Sequence, residues 1–268
     1  MRTPAATPTA DRPLAAPIYA GYAAHYDRQG QSQWGQALAD FILDTLLPRY
    51  GREPRTALDL ACGTGAVALA LAGAGLRTIG LDRSAAMLAL ARQNARARGL
   101  PLPLVRADLR AFAFGRPFDL ITCAFDSLNY LTDPADLAAA LRQVRAALAP
   151  GGLFVGDLVT VRAFAGAGDE EFDLGAIRYA WSTSWDRRSR LAVTTITCIT
   201  RGADREDTVT EYHHQRAYER DEVAAALRAA GLRLLDAFAA LPLNRPTLDP
   251  PGAEARRIIY VASRADHG

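Results

Sequence analysis

The chain contains no lysine: all 31 basic residues are arginine. That absence removes every chemistry that needs an ammonium side chain, including a Schiff base, a pyridoxal-phosphate lysine and a P-loop lysine. Cysteine is almost as scarce, and Cys62, Cys123 and Cys198 are widely separated, without the dense spacing of a disulfide scaffold or a CxxC metal site. The histidines are His25, His213, His214 and His267, too few and too scattered for a zinc site, so no metal is expected. Charge of one sign is lacking too. The net charge is +2 with no long like-charged run, so neither nucleic acid nor an anionic membrane surface is an expected partner. No apolar run is long enough to cross a membrane. The segment MRTPAATPTADRPLAAP is interrupted by four prolines and has no signal-peptide core; it reads as a flexible tail over 1–17. These absences fit a cytoplasmic protein acting on a small molecule as a monomer or homodimer.

What is present is an ordinary globular composition, 50% hydrophobic and 22% charged. From Tyr19 to Tyr50 the apolar spacing of Leu38, Phe41, Ile42 and Leu46 predicts a helix, with Pro48 and Gly51 as stops. Short runs apolar on both faces then alternate with helices: 57–61, 78–81, 104–107, 118–124 and 152–158. Such runs read as strands of a covered parallel sheet. Ser84 can cap one intervening helix, and Asp133 with Pro134 can open another. This alternation predicts a doubly wound α/β sheet.

After Val159 the pattern changes. Residues 175–186, 190–201 and 208–218 are rich in Thr, Val, Ile, Tyr and Trp, alternate in polarity and are separated by DRRS and GADRED, which predicts an inserted three-stranded antiparallel sheet. A helix over 221–230 and two strands, 232–239 and 257–263, then form a terminal hairpin. The resulting domains are a tail (1–17), a core with leading helices (18–160), an antiparallel insert (161–218) and the closing helix and hairpin (219–268).

The segment TALDLACGTGAVAL, residues 56–69, is a strand that ends in a glycine turn and opens a helix. Gly63 and Gly65 let backbone approach a ligand, while the helix amino terminus offers free N–H groups. Asp59 lies inside the apolar strand, either as a ligand-binding carboxylate or as a hydrogen-bond acceptor for the turn. Gly63, Gly65 and Ala68 also satisfy the loose dinucleotide fingerprint, so a nicotinamide-dependent oxidoreductase stays open here. The next strand ends in Asp82, placed to accept two ribose hydroxyls, and the third ends in Asp108. Three strand-end acids on one sheet edge suit a ligand with an amine, a ribose and an adenine amino group.

In order and spacing, ALDLACGTG, GLDRS, RADLRAF, FDLITCAFDSLNYL and LAPGGLFVGDL resemble the class I S-adenosylmethionine-dependent methyltransferases, over roughly Tyr19 to Leu158. The resemblance implies a Rossmann-like seven-stranded sheet, with the terminal hairpin as the family's reversed last strand. It implies that S-adenosylmethionine passes over Ala61, Cys62, Gly63 and Gly65, that Asp59 helps hold its amino group, and that Asp82 with Arg83 and Met87 borders its ribose side. Asp108 and the Leu109 backbone are expected at adenine. Ala61 departs from the family's usual first glycine.

Where amino-methylating nucleic-acid enzymes carry an Asp or Asn, two prolines and an aromatic after the fourth strand, this chain has Ala124, Phe125, Asp126 and Ser127, and Cys123 follows Thr122 rather than proline. FDSLNYL is instead similar to small-molecule methyltransferases whose antiparallel insert covers the substrate, such as sugar-amine and glycine-type N-methyltransferases. Phe125 and Leu128 would border the cofactor, with Asn129 near its sulfonium. YAGYAAHYDRQGQSQW resembles the leading helix of this branch, with Tyr26 foremost among Tyr19, Tyr22 and Tyr26 to close the pocket by a cation–π contact. His213 and His214 fall on opposite faces of one strand, so only one can act as a base, and Arg216 could pair with a substrate carboxylate. The expected activity is methylation of a small molecule, at nitrogen first and oxygen second; a non-catalytic S-adenosylmethionine-binding protein is the alternative from outside enzymology.

Overall fold

A computed structural model describes residues 18–202, 206–241 and 245–265. The expected tail over 1–17 and parts of the 202–207 turn and the 242–255 loop lie outside the described residues. The leading region is α1 (Ala23–Tyr26), a 3-10 turn (Asp27–Gln29), α2 (Ser32–Phe41), a π turn (Ile42–Leu46) and α3 (Leu47–Arg49). Leu38, Ile42 and Leu46 are fully buried, as their spacing requires. The helix runs one residue past the expected stop at Pro48, because the π turn before it relaxes the hydrogen-bond register in which proline would clash.

The core then reads β1 (Thr56–Leu60), α4 (Ala66–Gly73), β2 (Arg77–Asp82), α5 (Ala85–Ala97), β3 (Leu104–Arg106), β4 (Phe118–Cys123), α6 (Pro134–Ala147) and β5 (Leu148–Val159). Ser84 caps α5 by accepting the Met87 N–H, and Asp133 caps α6 by accepting that of Ala135, both as the sequence indicates. The insert follows α7 (Val161–Ala165) as β6 (Glu170–Leu174), β7 (Ile177–Asp186), β8 (Leu191–Arg201) and β9 (Glu206–Arg216). The chain closes with α8 (Arg220–Ala229), β10 (Leu232–Leu241), β11 (Arg245–Pro246) and β12 (Arg257–Arg264).

The main sheet has the order β11-β10-β12-β5-β4-β1-β2-β3. Strands β1 to β5 are mutually parallel, while β12 runs antiparallel to both β5 and β10. All five residues of β1 are buried, which is how a central strand covered on both faces reads. One apolar layer gathers Leu58, Ile121, Phe154 and Leu141 on the α6 and α8 side; another gathers Trp34, Leu38, Val67 and Val155 on the opposite face. The strand order reverses between β1 and β4, where the two halves diverge and a crevice opens at the carboxyl ends.

Two details differ from the sequence expectation. The insert is a four-stranded antiparallel sheet, β6-β7-β8-β9, not a three-stranded one. Strand β6 reads EEFDL, and its one apolar anchor inside that acidic edge is Phe172, stacked on Tyr179 at 5.2 Å, so no alternation marks it. The main sheet also gains the two-residue β11, too short to carry a periodic signal. Among the described residues no helix is long and apolar enough to cross a membrane.

Candidate active site

The crevice at the carboxyl edge of β1, β2, β3 and β4 is a pocket whose floor is the glycine turn and whose far wall is aromatic. Gly63 has φ +54, and the space where its Cβ would stand is empty within 4 Å, so backbone faces open pocket at that point. Gly65, at φ +88, instead packs its Cα side toward Ala91, Leu69 and Leu102 and does not line the pocket. Its role in the turn is conformational, with its N–H donated to the Cys62 carbonyl.

The three strand-end acids are present at this edge, each in a different electrostatic state. Asp59 is buried, accepts the Ala68 N–H at 3.1 Å and the Thr122 hydroxyl at 2.7 Å, and burial pushes its carboxyl up to about 7 against those hydrogen bonds. It therefore serves as the acceptor for the turn, and it also borders the pocket. Asp82 accepts the N–H groups of Gly63 at 2.9 Å and Ser84 at 2.8 Å, and burial raises its carboxyl despite them. Asp108 is held below the usual carboxylate range by a forked hydrogen bond from Arg110, at 2.8 and 2.9 Å, and Arg110 also reaches Asp136.

Residues Tyr26, Ala61, Cys62, Arg83, Met87, Leu109 and Phe125 line the same pocket. Four non-glycine residues at or beside it adopt left-handed backbone: Tyr19 (φ 63), Ala61 (φ 50), Phe125 (φ 58) and Asp126 (φ 48). Each such residue costs on the order of 1–3 kcal/mol and persists only where its surroundings hold it. The surroundings are visible for Phe125 and Asp126. Asp157, fully buried, accepts both their N–H groups, at 2.7 and 3.0 Å, and also the Trp34 indole N–H at 3.2 Å. Arg257 bridges Asp157 and Asp126 and lies over the rings of Trp34 and Phe125 at 4.9 and 5.1 Å. Gln215 of β9 donates to Asp126 at 2.6 Å, tying the insert to this turn.

Several residues singled out in the sequence lie elsewhere. Asn129, expected near the sulfonium, is buried and staples the backbones of Val159 and Arg216: its amide donates to their carbonyls and its oxygen accepts the Val159 N–H. Leu128 belongs to the apolar core. Arg216 donates to the Ser189 carbonyl, approaches Glu222 and stacks over Tyr218, away from the pocket. His214 is exposed on the outer face of β9. His213 faces inward, as alternation requires, but stands one layer behind the pocket wall. Its Nδ1 is 2.8 Å from the Tyr130 hydroxyl, and its Nε2 is 3.3 Å from Glu211. Tyr130 and Tyr19 do line the pocket, their hydroxyls 2.9 Å apart. Tyr130 was missed because YL in FDSLNYL reads equally as core, and Glu211 because an acid on an antiparallel strand normally faces solvent.

Comparisons with known proteins agree with this geometry. Residues 57–152 match the family model described as a methyltransferase domain. The dTDP-4-amino-2,3,4,6-tetradeoxy-D-glucose N,N-dimethyltransferase of Saccharopolyspora spinosa is 31% identical over 201 residues, 72% of this chain and 75% of that relative. A solved S-adenosylmethionine-dependent methyltransferase from Clostridium acetobutylicum superposes with a TM-score of 0.81 at 26% identity, covering 93% of this chain and 100% of that one. The S-adenosylmethionine-bound structure of CalS10, an amino pentose methyltransferase from Micromonospora echinaspora, superposes with a TM-score of 0.69 at 23% identity over 90% of this chain and 97% of that one, a likeness of fold. The chain belongs to the class I S-adenosylmethionine-dependent methyltransferases. Its cofactor is S-adenosylmethionine.

Proposed function

We propose that the protein methylates an amine nitrogen of a small, sugar-sized molecule. The observation that carries this reading is the far wall of the pocket, where Tyr19, Tyr26 and Phe125 stand ring to ring, Tyr19 to Tyr26 at 6.0 Å and Tyr26 to Phe125 at 6.1 Å. Three rings at one end of a pocket favour cationic groups by about 0.5–2 kcal/mol per contact, and both a sulfonium and an ammonium are cationic. The name of one relative supports nitrogen as the acceptor atom, since it is an N,N-dimethyltransferase of an amino sugar.

The pocket residues fit the cofactor. The empty space over Gly63 is where a Cβ would obstruct a ligand, and Asp59 and Asp82 offer acceptors for an amino group and a ribose. Asp108 and Leu109 are available to an adenine edge, with Arg83 and Met87 flanking the ribose. When bound, S-adenosylmethionine would supply an electrophilic methyl group, open to in-line attack by a lone pair with the thioether sulfur as leaving group. The protein's own contribution is alignment and exclusion of water, worth on the order of 7–11 kcal/mol for a well-oriented pair. Tyr19, Tyr26 and Phe125 shape that end of the pocket, and the buried Asp157–Arg257–Asp126 network holds Phe125 in a backbone conformation it would not adopt alone.

The test is mass-spectrometric detection of methyl transfer to a panel of amino sugars, alkylamines, arylamines and phenols. The proposal predicts products from amines carrying one or two added methyl groups. Turnover of phenols alone would move the acceptor atom to oxygen, and turnover of no panel member with intact cofactor binding would overturn the amine reading.

A further inference from the structure

His213 stands behind the aromatic wall, hydrogen-bonded to a pocket phenol on one side and paired with a buried carboxylate on the other. The Tyr130 hydroxyl contacts Nδ1 at 2.8 Å, and on the other side of the ring Nε2 lies 3.3 Å from a Glu211 oxygen. Glu211 is itself fixed, accepting the N–H groups of Tyr19, Gly21 and Tyr22 at 2.6, 2.9 and 2.9 Å. A carboxylate facing Nε2 favours a proton there and leaves Nδ1 as the acceptor, so the Tyr130 O–H donates inward. The Tyr130 oxygen retains lone pairs, one used by the Tyr19 hydroxyl at 2.9 Å, and both phenols border the pocket.

We infer that Tyr130, His213 and Glu211 withdraw a proton from a basic alkylamine acceptor, so that the substrate class is an amine protonated in neutral water. The inference rests on the reading of the protein as an amine methyltransferase. An ammonium has no lone pair and cannot attack. In the proposed step its N–H proton passes to the Tyr130 oxygen while the Tyr130 O–H proton moves to His213 Nδ1, which frees the lone pair on nitrogen and leaves an imidazolium beside the Glu211 carboxylate. The freed lone pair then attacks the methyl carbon as the S–CH3 bond breaks and the neutral thioether leaves, so that the nitrogen becomes positively charged again. After the product leaves, the proton returns along the same chain to pocket water.

Tyr130 is a conduit rather than a resident phenolate, because burial, with Asp126 adding to it, raises its hydroxyl well above the ordinary phenol range. Burial works against the Glu211 charge, but the His213 imidazole beside it and the hydrogen bonds from the backbone of Tyr22, Gly21 and Tyr19 outweigh it and hold that carboxyl below the usual range. The titratable groups around His213 are Tyr19 and Tyr22 from the leading segment, at ring distances of 5.1 and 5.9 Å, Tyr130 from the turn after β4, and Glu211 on its own strand. Asp126 acts on Tyr19 and Tyr130 from the far side. Tyr130 is the catalytic residue in this scheme; His213 and Glu211 act through it.

Two measurements test the chain. Nitrogen-15 spectra of the wild-type protein should show His213 at neutral pH with its proton on Nε2 and Nδ1 bare, shifted in Tyr130→Phe; a proton on Nδ1 overturns the inference. Second, kcat/KM is compared for an alkylamine and an arylamine of similar shape in wild type, Tyr130→Phe, His213→Gln and Glu211→Gln. The alkylamine should lose about 100-fold or more at pH 7 in the first two variants. The arylamine, already unprotonated, should lose at least tenfold less, and raising the pH toward the alkylamine's own pKa should narrow the gap. Equal losses for both amines at every pH would reduce His213 to a packing role and overturn the inference while leaving amine methylation intact. Failure of every amine in the wild-type protein would overturn the underlying reading, and this inference with it.

Discussion

The carboxylate of Asp27, in the 3-10 turn after the leading helix, accepts the hydroxyl of Thr64 in the glycine turn at 2.7 Å. Its second oxygen accepts the amide of Asn94 at 3.2 Å, and Asn94 also donates to the Thr64 carbonyl at 3.0 Å. Three chain segments distant in sequence are thereby latched at one edge of the pocket, and the latch places Tyr26, the residue before Asp27, in the pocket wall.

Cutting that latch should loosen the pocket's cover more than the fold. Asp27→Ala is expected to weaken S-adenosylhomocysteine binding roughly 5–10-fold, about 1–1.4 kcal/mol, in keeping with an exposed charged hydrogen bond. Calorimetric titration checks this, with faster dissociation expected in stopped-flow fluorescence.

Asp59 sets a conflict between stability and binding. Burial pushes its carboxyl up to about 7 in the folded chain, against about 4 for a solvated aspartate, so the folded state holds more protons across that window. Stability is therefore fully present below about pH 4 and is lost as pH rises through 7. Asp59→Asn, whose amide oxygen can still accept the Ala68 N–H while its NH2 donates to the Thr122 hydroxyl oxygen in a reversed bond, should remove this slope. It should raise unfolding free energy at pH 8 by roughly 1–3 kcal/mol, within the limit of 1.36 kcal/mol per unit. Urea melts at pH 5 and pH 8 test the sign, and weaker cofactor binding by the same variant tests the proposed role.

Ala61 occupies left-handed backbone at φ 50, where the family's usual residue is glycine. The conformation costs an L-residue about 1–2 kcal/mol, partly offset by the smaller unfolded-state entropy of alanine. Ala61→Gly should stabilise the protein by about 0.5–1 kcal/mol, a rise of roughly 1–4 °C in Tm for a chain of this size. A lower Tm by calorimetry would contradict the assignment of strain to this turn.

The buried network under Phe125 should respond unevenly to its parts. Arg257→Met leaves the carboxylates of Asp157 and Asp126 without their cation and should cost about 3–5 kcal/mol. Adding Asp157→Asn to that variant should recover a substantial part, because the uncompensated buried charge is then gone. Chemical denaturation of the wild type, both single variants and the double variant gives the coupling directly.

Much of the core was legible because its signals are local. Strands apolar on both faces, caps at Ser84 and Asp133, and acids at or near the carboxyl ends of β1, β2 and β3 follow from short windows of sequence, and the glycine turn adds its own signature. The site's second half was not. Asn129 sits beside the pocket residues in sequence, yet its buried amide serves two backbone segments from β5 and β9, a tertiary demand that no local pattern announces. Glu211 and Tyr130 meet across a wide sequence separation through His213, and an acid on a strand of alternating polarity ordinarily reads as solvated. Strand β6 escaped detection for the opposite reason, since a single anchor, Phe172, carries its packing.

The measurement that bears most directly on the account is calorimetric titration of wild-type protein and Asp82→Asn with S-adenosylhomocysteine, NAD and NADP. Micromolar binding of S-adenosylhomocysteine alone, weakened at least tenfold, or about 1.4 kcal/mol, in a folded Asp82→Asn variant, is the predicted result. Unchanged affinity in that variant would remove the β2 carboxylate from the cofactor site, and binding of a nicotinamide nucleotide instead would contradict the reading of the glycine turn.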